Sequence, residues 1–143
     1  MPELRIGAHT ARLPIMQGGM GVGVSLSGLA SAVGNEGGIG EISAVGIGRD
    51  VVSNALTRVK DNYKGLRAEI AKARANTNGL ISVNVMLALT DSNDLMRAAL
   101  EEDVDIISLS AGLPIRRSQV TRGLHKQSSF HRVSAEGIKS PCG

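Results

Sequence analysis

Residues 14–23 read PIMQGGMGVG, and the fold turns on how that stretch is taken. Leu13 to Gln17 has the apolar character of a buried strand. It runs into glycines at 18, 19, 21 and 23 and then into a helix. Backbone without Cβ atoms can approach a partner closely. Chains use this to make room for a flat or phosphorylated ligand at the carboxyl end of a strand. A plain β-to-α turn with spare glycines explains the same letters, so the pattern alone leaves both readings open.

On the amino-terminal side, Leu4 to Ile6 and Thr10 to Leu13 flank Gly7-Ala8-His9, which reads as a short hairpin able to plug one end of a barrel. His9, in its turn, reads as solvated. On the other side, Ser25 or Ser27 would cap a helix to about Asn35, with Leu26, Leu29, Ala30 and Val33 facing inward. Ile39 to Val45 is a second strand, and Glu41 is its oddity. A carboxylate in a strand buried on both faces is costly unless paired, so Glu41 is expected to face solvent or meet an arginine rather than to act in catalysis.

Residues 50–62 and 63–76 carry helical spacing, through Val51, Val52, Ala55, Leu56 and Val59 and then Leu66, Ile70 and Ala73. Leu80 to Leu87 is a third strand. Asp91 or Ser92 would cap a helix through Glu102, with Leu95, Met96, Ala99 and Leu100 inward. Asp105 to Ser110 is a fourth strand, closed by Ala111 to Pro114. Apolar strands alternating with helices indicate a parallel sheet covered by helices. Two architectures satisfy that: an open doubly wound sheet, or one half of an eight-stranded β/α barrel.

Bulk properties narrow the function. The 143 residues suit one ordinary domain, and 42% of them are hydrophobic. One Tyr, one Phe and no Trp leave little to stack on bases, which argues against a nucleic-acid partner. Cys142 is the sole cysteine, so neither an intrachain disulfide nor a cysteine-based zinc site is expected, and no metal ligands are assigned. No secretory signal or run of about 18 apolar residues is visible, so a cytoplasmic protein without a membrane partner is expected.

The net charge of +3 is unevenly spread. Residues 1–113 hold ten Lys/Arg and twelve Asp/Glu, whereas residues 114–143 hold six Lys/Arg against Glu136. No strand or capped helix can be traced from about Ile115. Residues 115–143 are therefore set apart as a basic tail, either disordered or not native coding sequence, from a body of residues 1–114.

The body resembles the amino-terminal half of the nitronate monooxygenase family, formerly 2-nitropropane dioxygenases. The resemblance rests on LPIMQGGMGVGVSLSGLASAVGNEGGIGEISAVGIG, GLISVNVMLAL and EEDVDIISLSAGLP. Flavin-dependent bacterial enoyl reductases share these stretches. The resemblance implies an α/β fold, a partial (β/α)8 TIM barrel of about the first four β/α units behind a short hairpin. It implies FMN at the carboxyl ends of the strands. It places the backbone of Gly18, Gly19 and Met20 along the flavin ring, with the Asn84 side chain in hydrogen-bonding reach, and Ser110 and Gly112 at a substrate rim.

For an intact family member the implied reaction is oxidation of an alkyl nitronate or nitroalkane, with oxygen as electron acceptor. The family's catalytic histidine lies in a glycine-rich loop that His125 (GLHKQ) and His131 (SFHRV) lack, so no catalytic residue is assigned. Two alternatives stand beside a nitronate monooxygenase: a catalytically silent fragment with at most weak flavin affinity, and an enoyl reductase-like flavoprotein. A homodimer joining two half-barrels would close the apolar interior that four strands leave open.

Overall fold

In a computed structural model of the chain, the residues described are 1–48, 55–112 and 132–133. The chain opens with an antiparallel hairpin, β1 (Leu4–Ile6) and β2 (His9–Ala11), in which Ile6 pairs with His9 across a two-residue turn. Gly7 takes a positive φ of 60° there, a conformation that tight hairpin turns reserve for glycine. His9 is thus a strand residue rather than a turn residue. Its Nδ1 lies 3.7 Å from Asp105 Oδ1.

The main sheet contains β3 (Ile39–Ser43), β4 (Leu80–Met86), β5 (Ile106–Ser110) and β6 (Arg132–Val133), all parallel and in sequence order. Between them run α1 (Ser27–Asn35), α2 (Ala55–Asn76) and α3 (Ser92–Glu101). The two helices read over 50–62 and 63–76 are a single helix from residue 55. Its predicted start at 50–54 lies outside the described residues, as do the side chains of Ala55, Leu56 and Val59. No sequence signal had marked β6.

Strand alternation divides the sheet into two unlike faces. Ile42, Ala44, Ile81, Val83, Val85 and Ile107 point to one side and form a single core with Ala30 of α1, Leu66, Ile70 and Ala73 of α2, and Leu95, Met96, Ala98 and Ala99 of α3. All three helices therefore cover that one face. The strand order never reverses, whereas a doubly wound sheet has a reversal point and helices on both sides. On the opposite face, Ile39 and Ile106 at the amino ends of their strands pack with Ala11, and Leu4, Ile6 and Leu80 close around them. The hairpin thus seals that end of the sheet.

Two expectations need correcting. Residues 13–17 do lie extended beside β3, with Leu13 N–H donating to the Gly37 carbonyl at 2.9 Å and Ile39 N–H to the Ile15 carbonyl at 2.9 Å. They are not buried, however: Ile15 is 50% and Met16 40% exposed, because this segment forms the outer edge of the sheet. Helix α1 begins after Leu26 with no side-chain cap, and Leu29 points outward at 40% exposure. The cap comes from another helix. Glu69 of α2 accepts the Ser27 N–H at 3.0 Å and the Ser27 hydroxyl at 2.6 Å.

Close backbone packing accounts for two glycines. A Cβ on Gly40 would fall on the Ala30 carbonyl, and one on Gly79 on the Gly34 carbonyl. Helix α1 thus rests directly on β3 and on the start of β4, which holds the glycine turn over the carboxyl ends of the strands.

Candidate functional site

The Gly18–Gly23 turn is tied down by one buried hydroxyl. Ser25 is fully buried; its Oγ accepts the Met20 N–H at 2.9 Å and Gln17 Nε2 at 3.0 Å, and donates to the Gly18 carbonyl at 3.3 Å. Gln17 in turn bonds the backbone of Glu41 in both directions. Its Nε2 donates to the Glu41 carbonyl at 3.1 Å, and its Oε1 accepts the Glu41 N–H at 3.4 Å. The loop is therefore fixed against β3. Met20 is 52% exposed, and no atom lies within 4 Å of where a Gly18 side chain would begin.

Gly19 has no such room. A Cβ there would come within 2.8 Å of both Asn84 Cβ and Glu41 Oε1. Only glycine lets the loop settle onto these two side chains.

Beneath the loop runs a one-way hydrogen-bond chain across three strands. Ser110 Oγ donates to Asn84 Oδ1 at 3.1 Å, Asn84 Nδ2 donates to Ser108 Oγ at 3.1 Å, and Ser108 Oγ donates to Glu41 Oε2 at 2.6 Å. Ser82 Oγ donates to the same Oε2 at 3.1 Å. The direction is set by its end, because a carboxylate oxygen accepts and cannot donate.

Glu41 thus does not face solvent and, among the described residues, meets no arginine. It is 3% exposed and held by two serine hydroxyls. Asn84 uses one N–H on Ser108, and the other donates to no described residue.

Among the predicted site residues, the structure brings Gly19, Asn84 and Ser110 together. Gly18 and Met20 flank them on the loop. Gly112 sits apart: a Cβ there would come within 2.9 Å of Leu87 Cβ, beyond the ends of β4 and β5. Sequence reading missed Glu41, Ser82 and Ser108 as members of this cluster. The signal was available as polar–apolar–polar triplets, Glu41-Ile42-Ser43, Ser82-Val83-Asn84 and Ser108-Leu109-Ser110. The register then aligns Glu41 with Ser82 and Asn84 with Ser108.

Among the described residues no group of His, Cys, Asp and Glu could hold a metal ion, and no helix is long and apolar enough to cross a membrane.

A family model described as nitronate monooxygenase matches residues 3–139. The chain belongs to the nitronate monooxygenase family. The matched span runs past residue 114, into the stretch set apart above as a basic tail.

FabK from Thermotoga maritima is similar over 76% of this chain and 31% of its own, at 29% identity and a TM-score of 0.58. Its M276A mutant gives 25% identity and a TM-score of 0.62, over 84% of this chain and 35% of its own. Nitroalkane oxidase from Streptomyces ansochromogenes shares the fold, with a TM-score of 0.60 at 22% identity over 84% of this chain and 40% of its own. The chain thus spans between 31% and 40% of the length of these solved proteins. No curated protein matches it.

Proposed function

We propose that the chain forms the first β/α units of a partial (β/α)8 barrel and belongs to an FMN-dependent oxidoreductase of the nitronate monooxygenase type. Its small-molecule substrate would be an alkyl nitronate or nitroalkane, with oxygen as electron acceptor. The observation that carries this reading is the side-chain-free loop Gly18–Gly19 seated on Asn84 at the carboxyl ends of parallel strands. That end of a barrel is where β/α enzymes build their sites.

The residues present fit a flavin ring. Gly18 offers open backbone, Asn84 a spare N–H, and Met20 an exposed, adaptable apolar side chain. Ser110 fixes the Asn84 amide through Oδ1, so the spare N–H keeps one direction. Ser110 and Gly112 would border the substrate. When bound, the flavin would supply the electron transfer between substrate and oxygen that no side chain here can perform. The chain's own part is to bind and orient the ring against a hydrogen-bonded floor.

A second reading has its own support. Ile15, Met16, Met20, Val22 and Val24 are each between 40% and 55% exposed along the loop and the sheet edge. Apolar surface of that kind needs a cover. A silent chain with weak flavin affinity would leave it bare, whereas a homodimer would bury it. Purified chain tested for colour, flavin content and nitronate-dependent oxygen uptake decides between the readings. Close to one FMN per chain with oxygen uptake supports the enzyme; colourless protein without uptake supports the silent chain.

A further inference from the structure

Glu41 is a buried carboxylate with no cation beside it among the described residues. No ion pair involves it among the described residues, and it is 3% exposed in the floor of the proposed site. Such a group is costly unless its oxygens are satisfied. Oε2 is satisfied twice, by Ser82 at 3.1 Å and Ser108 at 2.6 Å. Oε1 accepts no hydrogen bond from any described residue. No side-chain oxygen among those residues is both sealed from solvent and without a partner, so Oε1 remains reachable.

Oε1 and Asn84 Cβ each lie 2.8 Å from the same point, the place a Gly19 Cβ would occupy. Ser108 Oγ also bridges Asn84 Nδ2 at 3.1 Å and Glu41 Oε2 at 2.6 Å, so the amide donor and the carboxylate stand as neighbours on this floor. An acceptor beside a donor is the complement of an edge carrying N–H next to C=O. The oxidised flavin ring has one such edge, its imide, and that imide holds the ring's only N–H.

We propose that Glu41 is a cofactor-positioning residue that selects for the imide edge of the flavin ring. Its Oε1 accepts the imide N–H, while the spare N–H of Asn84 donates to an adjacent ring carbonyl. This rests on the flavin reading above and goes further by giving a role to a residue outside the loop and amide. Ser82 and Ser108 hold the other oxygen, so the carboxylate cannot turn away to satisfy Oε1 elsewhere.

The test is a binding titration of the full chain, freed of any flavin, with FMN and with its N3-methyl analogue, in which the imide N–H is replaced. Ring fluorescence is the readout and no turnover is needed. The expected result is at least tenfold weaker binding of the N3-methyl analogue to the unaltered chain. In Glu41→Ala that ratio should fall to within about twofold of one, and Glu41→Gln, which keeps an amide oxygen, should restore part of it.

Equal binding of the two flavins by the unaltered chain would overturn the proposal while leaving the flavin reading intact. An undiminished ratio in Glu41→Ala would do the same. Failure of both flavins to bind the unaltered chain would overturn both. Comparing the two ligands on the unaltered chain keeps the test decisive even if Glu41→Ala does not fold.

Discussion

Replacing Gly40 by alanine adds one methyl group to a place where the backbone of α1 already stands. The new Cβ would overlap the Ala30 carbonyl oxygen and lie 2.6 Å from the carbonyl carbon and 2.8 Å from Cα. Ordinary contact begins near 3.4 Å; clearing the carbonyl carbon alone would take about 0.8 Å, and the overlapped oxygen demands a larger movement of α1 or β3. No flexible side chain stands between them to absorb the shift. Overpacking of a close-packed interior costs about 1–3 kcal/mol and occasionally more. With rigid backbone on both sides we place Gly40→Ala at roughly 3 kcal/mol.

For a chain of 143 residues about 1 kcal/mol corresponds to roughly 2–4 °C in melting temperature, so the expected drop is roughly 6–12 °C. The control is Gly28→Ala on the exposed side of the same helix, where nothing lies within 4 Å of the new Cβ. Alanine in place of a helical glycine should add roughly 0.5–1 kcal/mol of stability there. Thermal unfolding followed by circular dichroism reads both. A Gly40→Ala chain melting within about 2 °C of the unaltered one, given the roughly 2–4 °C expected per kcal/mol, would show that α1 does not rest on β3 as described.

Three further outcomes follow from the site and its supports. Ser25→Ala should cost about 1–3 kcal/mol, because the Met20 N–H and Gln17 Nε2 lose a buried acceptor; amide exchange at Met20 should accelerate while helix content holds. Gly19→Ala should weaken flavin binding more than it lowers stability, since its Cβ would displace Asn84 and Glu41 directly; equal FMN affinity in the variant would count against the loop as a ring platform.

Glu69 supplies a pH-dependent prediction. Burial works against its ionisation, but hydrogen bonds from Lys72 and from the Ser27 hydroxyl and N–H outweigh this and hold its pKa below the usual value. A carboxylate with a depressed folded pKa contributes stability that is present above its unfolded pKa and is lost as pH falls through the folded one. Glu69→Ala should therefore lower stability by roughly 0.5–2 kcal/mol near neutrality, the range of a lost helix cap. The gap should close under acid, and urea titrations across that range would reveal a constant gap if the cap were not ionic.

The order and type of the elements were legible because each leaves a local mark. The runs read at 80–87 and 105–110 and the stripe at Leu95, Met96 and Ala99 survive in the structure to within a residue. The polar floor was not legible. Serine is small and tolerated in either environment, so LISVNVML and DIISLS read as nearly continuous apolar strands. Only the pairing of Ser82 with Glu41 across β3 and β4 shows that the odd carboxylate and the serines belong together.

Asp91 shows a similar gap between local and tertiary signals. It stands at the start of α3, where a side-chain cap was expected, yet makes no cap bond. Its carboxylate accepts Asn62 Nδ2 of α2 at 2.8 Å instead. Tertiary partners outbid a local one there, and no spacing rule announces a partner 29 residues away.

Whether the Gly18–Met20 loop and the Asn84 amide hold a flavin ring is tested most directly by titrating the flavin-free chain with FMN, alongside Asn84→Ala. Saturable binding approaching one FMN per chain is expected, with an affinity up to about tenfold weaker in Asn84→Ala, the worth of about one lost hydrogen bond. An unaltered chain that does not bind FMN, or an Asn84→Ala chain that binds it equally well, would contradict the claim.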